Sequence, residues 1–341
     1  MNRVAVVILN WNGCSFLEQF LPSVVENTPT DIADVIVADN GSTDNSIPYL
    51  KENYPFIKII CFDKNYGFTG GYNRVIEHLD YEYTILLNSD VETPKGWLEP
   101  LWKQMESHPE VGACMPKLIA HADKESYEYA GASGGFLDKY GYPFCRGRIL
   151  ATTEKDLGQY NDPIPIFWAS GACLMVRTSL YKKLGGLDSD FFAHMEEIDF
   201  CWRLQHAGYK VMVYPESEVY HVGGGTLPNN NPHKMYLNFR NSLLMLTKNL
   251  PKKNLLTTLF IRMVLDGAAG LAFLANGKWG FFVAVLRAHR DFYKMLRKFL
   301  TKRKQVGKHR PSGFYKKSIV LSYIVKGKKT FKQLDSSKFT S

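Results

Sequence analysis

The chain has 341 residues, 45% hydrophobic and 22% charged, an ordinary globular composition with room for one large or two ordinary domains. Its net charge of +9 is unevenly placed: residues 287–341 carry 17 Lys/Arg against Asp291 and Asp335, leaving residues 1–286 acidic. The basic balance therefore describes what the tail touches and excludes a basic main body. Six scattered cysteines (Cys14, Cys61, Cys114, Cys145, Cys173 and Cys201) form no CxxC pair, which excludes a zinc knuckle and a dense disulfide framework and fits buried thiols in a reducing compartment.

In chain order, Val4–Leu9 is a short β-branched run that ends abruptly in Asn10-Trp11-Asn12-Gly13, the pattern of a buried parallel strand opening onto a loop. A helix is expected over Phe16–Glu26, a strand over Asp34–Ala38 ending at Asp39-Asn40-Gly41-Ser42, and a helix over Ser46–Asn53. A third strand (Ile57–Cys61) leads to a Gly-rich loop (Asn65–Gly71) and a helix from about Tyr72; a fourth (Tyr83–Leu87) ends at Asn88-Ser89-Asp90. Strands that alternate with helices and end in polar residues predict a doubly wound α/β sheet with its ligand at the strand carboxyl ends. Between Ala113 and Pro165 the pattern loosens into short strands and loops, suited to an acceptor-facing surface. A strand is expected over Phe167–Val176, a helix over Phe191–Ala207, a strand over Lys210–Tyr214, a flexible loop over Gly223–Pro232 and a helix near Lys234–Lys248.

The division read from this is 1–248 as a catalytic domain and 249–341 as a basic helical segment. Leu255–Leu286 is apolar but interrupted by Arg262, Asp266 and Lys278, which argues against a conventional transmembrane helix. From Val285 to Leu300, apolar residues recur at helical spacing with Arg and Lys on the other side. A basic amphipathic helix of this kind lies on an anionic membrane surface; the alternative is a helix packed on the catalytic domain with a solvated basic face. The six-residue apolar run near the N-terminus is too short for a signal-peptide core, so the expected location is cytoplasmic, peripheral on the inner face of the cell membrane.

VVILNWNG (Val6–Gly13), VADNGSTDNS (Val37–Ser46), NYGFTGGYN (Asn65–Asn73), LLNSD (Leu86–Asp90), ASGACLMVR (Ala169–Arg177), HMEEIDFCWR (His194–Arg203) and YHVGG (Tyr220–Gly224) follow one another in this order. Together they resemble the family 2 glycosyltransferases of GT-A fold, in particular the bacterial rhamnosyltransferase-like branch, over roughly residues 3–248. The resemblance implies a mixed sheet with a nucleotide-binding half and an acceptor half, and single displacement with inversion. It implies a UDP- or dTDP-sugar donor, dTDP-rhamnose being one candidate, and a cell-surface glycan, carried on a polyprenyl diphosphate, as acceptor.

The same resemblance implies the site. Asp39 would accept the N3–H of a uracil or thymine ring, though an Asp there also suits a turn through Gly41. Asn10, Asn12, Asn65, Gly67 and Asn88 would complete the nucleotide contacts; the glycines of the Asn65–Gly71 loop let backbone approach closely. Asp90, with Asn88 where the family's first Asp would stand, and His221 would hold Mg²⁺ or Mn²⁺ across the donor diphosphate. Glu196, Glu197 and Asp199 form the acidic cluster expected to hold the catalytic base, with Glu197 at the family's position; on a helix Glu196 and Asp199 share a face and Glu197 does not. Trp168 and Gly171 resemble the acceptor-side wall, and Arg240 either faces the diphosphate or is a surface charge. Two rival classes are a nucleotidyltransferase, for which a basic triphosphate loop is missing, and a nucleic-acid-binding protein acting through the tail, which leaves the acidic body unexplained; no specific nucleic acid is expected.

Overall fold

The computed structural model describes residues 3–223, 231–303 and 309–340. The N-terminal half alternates as the hydrophobic runs predict: β1 (Val4–Asn10), α1 (Cys14–Asn27), β2 (Ala33–Asp39), α2 (Ser46–Asn53), β3 (Lys58–Cys61), α3 (Gly67–Glu77) and β4 (Tyr83–Asn88). These four strands are parallel in the order β3-β2-β1-β4, with β1 buried between its neighbours. Asn10 pairs with Asp39, and Leu9 with Asn88, so three polar strand ends share one edge of the sheet. Strand order reverses between β1 and β4, which opens a crevice just outside those ends.

The chain continues through β5 (Val91–Glu92), α4 (Leu98–Ser107), β6 (Val111–Ala120), β7 (Asp123–Tyr127), β8 (Gly135–Asp138), β9 (Pro143–Cys145), β10 (Arg148–Ile149), β11 (Thr152–Thr153), β12 (Ile164–Pro165), β13 (Cys173–Arg177), α5 (Thr178–Lys183), α6 (Glu196–His206), β14 (Lys210–His221) and α7 (Pro232–Asn249). Strand β13 lies antiparallel between β4 and β6, and β14 runs parallel to β6, giving one mixed sheet of ten strands. The expected strand at Phe167–Val176 is regular only from Cys173. The loosely patterned region after Ala113 begins instead with β6, ten residues of which nine are buried. The helix expected from Phe191 starts at Glu196, because Phe192, His194 and Met195 all take left-handed backbone angles. Strand β14 runs past Tyr214 to His221 across an irregularity between Tyr214 and Glu218. Helix α3 begins within the Gly-rich stretch, at Gly67. The flexible loop expected at Gly223–Pro232 falls almost wholly on residues 224–230, outside the described residues.

Beyond α7, helices α8 (Lys252–Ala275) and α9 (Trp279–Lys302) form a hairpin turned at Gly277 (φ 71°), followed by β15 (Phe314–Tyr315) and α10 (Ile319–Ile324). The amphipathic stripe of Val285–Leu300 divides into two rows. Val285, Phe292 and Phe299 are buried, with α9 packed along α7, so these residues are not available to a membrane. Leu286, Tyr293 and Leu300 point outward. Lys302 reaches Asp188 at 2.5 Å and Asp190 at 2.7 Å, and Lys298 reaches Asp190 at 2.7 Å, clamping α9 to the segment before α6. Strand β15 pairs with β8 and completes a second, five-stranded sheet in the order β11-β10-β9-β8-β15. Phe136, Phe144, Tyr315, Phe331 and Phe339 pack over that sheet. Position 248/249 therefore marks a change of composition, while the packing runs on across it.

Candidate active site

The site grows from the aligned strand ends. Asn10 Nδ2 donates to Asp39 Oδ1 at 3.0 Å, and Ser42 N donates to Asp39 Oδ2 at 2.9 Å, so the buried carboxylate is oriented from both sides. Asn12 Oδ1 accepts from Thr43 N at 2.7 Å, tying the loop after β1 to the loop after β2. The neighbouring Asn40 does similar work: its Oδ1 accepts from Tyr66 N at 3.0 Å, and its Nδ2 donates to Asn65 Oδ1 at 3.0 Å and Gly67 O at 3.1 Å. Gly41 is needed at φ 73°, where an added Cβ would lie 2.5 Å from the Lys64 backbone. Asn10, Asn12, Asp39, Asn65 and Gly67 thus belong to one hydrogen-bonded floor.

Asn88 and Asp90 leave β4 at the edge of this floor. His221, the last residue of β14, pairs with Val91 and brings its Nε2 to 3.2 Å from Asp90 Oδ1 and 3.5 Å from Asn88 Nδ2. Burial alone would depress the imidazole pKa. The carboxylates of Asp90 and Glu128, the latter 3.5 Å from Nδ1, outweigh it and push the value up to about 10. Among the described residues no three His, Cys, Asp or Glu side chains form a preformed metal cage. Two donors suffice when a nucleotide supplies the rest, as Mg²⁺ is commonly held by one or two carboxylates plus phosphates. A divalent cation would have to displace the proton that His221 shares with Asp90, and the pair would then offer it one imidazole nitrogen and one carboxylate.

The acidic cluster separates cleanly. Asp199 is fully buried and takes hydrogen bonds from Arg203 Nε, Lys248 Nζ and Asn249 Nδ2, each at 2.8 Å. Burial would raise its pKa, but the two cations hold it below the usual carboxylate range. A carboxylate so sealed and paired cannot take a proton from a substrate, which removes Asp199 from the candidate bases. Glu196 is buried too, and burial with the neighbouring Glu197 raises it well above the usual range. Glu197 is half-buried, and burial raises its pKa to about 7. It lines a cavity of about 700 Å³ with Trp168, His194, Tyr129, Arg148 and Lys234, and the same cavity reaches Glu128 and Val222 beside His221. The cavity therefore runs from Glu197 to Glu128, whose carboxylate stands 3.5 Å from His221 Nδ1.

Of the remaining candidates only Trp168 lines this cavity. Trp168 walls the cavity and donates from Nε1 to Phe136 O at 3.0 Å, whereas Gly171 packs beneath the Phe68 ring and is not among the lining residues. Arg240 lies over the Tyr236 ring and donates to the carbonyl of Phe191 at 3.1 Å. Asn241 donates to the carbonyls of Phe191, Ala193 and His194 at 2.8–3.0 Å. Both therefore hold the left-handed segment that aims α6. Asn241, expected with Arg240 to face the diphosphate, instead holds those carbonyls. Glu128 was not singled out in the sequence, because its partner His221 is 93 residues away, and Asn40 adjoins Asp39 in the DNG turn and was open to recognition there.

The description Glycosyl transferase family 2 matches residues 5–185, and Glycosyl transferase family group 2 matches residues 144–241. The N-acetylglucosaminyl-diphospho-decaprenol L-rhamnosyltransferase of Mycobacterium tuberculosis is 30% identical over 232 residues, covering 63% of this chain and 75% of the relative. The low-salt glycan biosynthesis hexosyltransferase Agl10 of Haloferax volcanii is 21% identical, over 72% of this chain and 75% of that one. Two solved structures share the fold at 17% identity. The mannosyltransferase PcManGT of Pyrobaculum calidifontis, in complex with GDP-Man and Mn²⁺, gives a TM-score of 0.52 and covers 89% of this chain and 84% of its own. GalNAc-T7 with UDP, GalNAc and Mn²⁺ gives 0.56 and covers 73% of this chain, which spans about half of that structure's length (48%). These matches set aside the nucleotidyltransferase reading. Polar strand ends at a reversal of strand order and a cavity lined by Glu197 agree with them, and the chain belongs to the family 2 glycosyltransferases, with the GT-A fold.

Proposed function

We propose that this glycosyltransferase moves a hexose, rhamnose in the first instance, from a UDP- or dTDP-sugar to a glycan carried on a polyprenyl diphosphate at the inner face of the cell membrane. The mycobacterial relative's name supplies the acceptor class and the sugar; the observation that carries the chemistry is the cavity lined by Glu197 and by Glu128, the carboxylate that faces His221. Asp39 receives the base of the nucleotide, with Asn10, Asn12, Asn65, Gly67 and Asn88 around it. Asp90 and His221 hold Mg²⁺ or Mn²⁺, which when bound neutralises the departing diphosphate. Glu197 takes the proton of the acceptor hydroxyl as that oxygen attacks the anomeric carbon. The bond from this carbon to the diphosphate breaks, and the nucleoside diphosphate leaves. Attack opposite the leaving group inverts the anomeric centre. Trp168 walls the acceptor side.

A thermal-shift series with UDP, dTDP and GDP, each with Mn²⁺, tests the donor reading. UDP or dTDP should raise the melting temperature, and chelation should abolish the rise. A rise with GDP alone would overturn the assignment of Asp39 to a pyrimidine.

A further inference from the structure

Helix α8 has two faces with opposite chemistry. Between Asn254 and Gly277 its only charged residues are Arg262 and Asp266, and both turn inward. Arg262 Nε donates to Asp266 Oδ1 at 2.7 Å and its guanidinium to the carbonyls of Tyr140 and Gly141 at 3.2 Å. The charges that interrupt the apolar run in sequence therefore do not interrupt the outer face. That face shows Leu256 (81% exposed), Phe260 (69%), Val264, Leu271 and Leu274, followed by Trp279 (63%) at the start of α9. Helical spacing places the α8 members within one arc of the helix. By length and composition Lys252–Ala275 could cross a bilayer, and little of it is buried.

The surroundings of this face are basic. Residues 252–303 contain eleven Lys/Arg against Asp266 and Asp291, and Asp266 is buried. Lys252 and Lys253 stand at one end of α8 and Lys278 at the other. On α9 the outward Leu286, Tyr293 and Leu300 alternate with Arg290, Lys294 and Arg297. An apolar surface bordered by cations matches the hydrocarbon edge and anionic headgroups of a membrane leaflet. It suits a second copy of this chain poorly, because like charges would then meet around the contact.

We infer that the outer face of α8, continued by Trp279 and the outer row of α9, docks the enzyme in the interface of an anionic membrane leaflet. The helix lies in the membrane plane, since its inner face is fixed by the Arg262–Asp266 pair. Arg262 also lines the cavity that contains Glu197. One helix thus separates lipid from the acceptor cavity, which selects amphiphilic acceptors whose head enters while the tail stays in the leaflet. This last step rests on the proposed transferase reading; the docking surface does not.

The test uses the full chain and sedimentation with vesicles of phosphatidylglycerol and phosphatidylethanolamine, or of phosphatidylcholine alone. Wild type should bind the anionic vesicles and be only partly released by salt. The double substitution Leu256→Glu with Phe260→Glu, both on exposed positions, should weaken that binding at least about tenfold, with an unchanged far-UV spectrum and unchanged nucleotide binding by calorimetry. Unchanged vesicle binding by the variant overturns the inference. So does a wild-type dimer in light scattering that the substitutions convert to monomer, which would mean that a second copy covers the face. Absence of nucleotide binding in both proteins would refute the transferase reading while leaving the vesicle result standing.

Discussion

At the scale of single residues, three acids within four positions have three different fates, and the difference is testable. Glu197→Gln should keep donor affinity and lower kcat by at least ~10²-fold, as expected for a lost general base. A base must be deprotonated to accept. With its pKa raised to about 7 by burial, Glu197 should make kcat/KM climb as pH rises through that value and level off above it. Glu197→Gln should flatten that limb; an unchanged profile would place the base elsewhere. Asp199→Ala should behave otherwise, because it leaves Arg203 and Lys248 without their shared partner. Removing one member of a buried ion pair costs about 3–5 kcal/mol, so the unfolding free energy from a urea titration should fall by that amount. The surviving folded fraction should keep its pH profile.

At the scale of elements, the segment between Phe191 and Met195 decides where α6 points. Left-handed angles at three non-glycine residues cost of order 1–3 kcal/mol each, and Asn241 holds the carbonyls that enforce them. Asn241→Ala should let the segment relax and displace Glu197. Turnover should fall by up to about 10²-fold, the loss produced by small misplacements, with the nucleotide Kd unchanged; a matching rise in Kd would refute the positioning role. Such devices were hidden from the sequence, which shows apolar periodicity but not which carbonyls a distant amide reaches. The legible elements were those with short, uniform runs and polar stops: β1, β2, β4 and above all Ser46–Asn53, whose bounds agree residue for residue. Strand β6, VGACMPKLIA, was illegible because Pro116 and Lys117 break its apolar run. Lys117 is nevertheless buried, its ammonium paired with Asp156 at 2.6 Å and Glu218 at 3.0 Å. Helix α3 was read to begin too late because its glycines suggested a loop; Gly71 is there because a Cβ would strike the Leu9 side chain at 2.7 Å.

At the scale of the whole molecule, composition and packing disagree about where the catalytic part ends. A chain stopped after Lys248 loses the cover of α7, the Lys302 contacts to Asp188 and Asp190, and the strand that closes the second sheet. Newly bared apolar surface of that extent should make the truncated protein aggregate, or elute as a misfolded species without nucleotide binding. A monodisperse, nucleotide-binding fragment in size-exclusion chromatography would show that residues 1–248 are independent after all. The pairing of β15 with β8 also bears on how the enzyme comes into being. Asp138 accepts from the amide of Ile319, 181 residues further along, and Phe339 packs over the same sheet. The wall beside the Glu197 cavity therefore stays open during synthesis until residues 314–339 have emerged to pair with and pack on β8. A fragment that stops before Phe314 can hold every residue from Asn10 to His221 and still lack the strand that closes this wall.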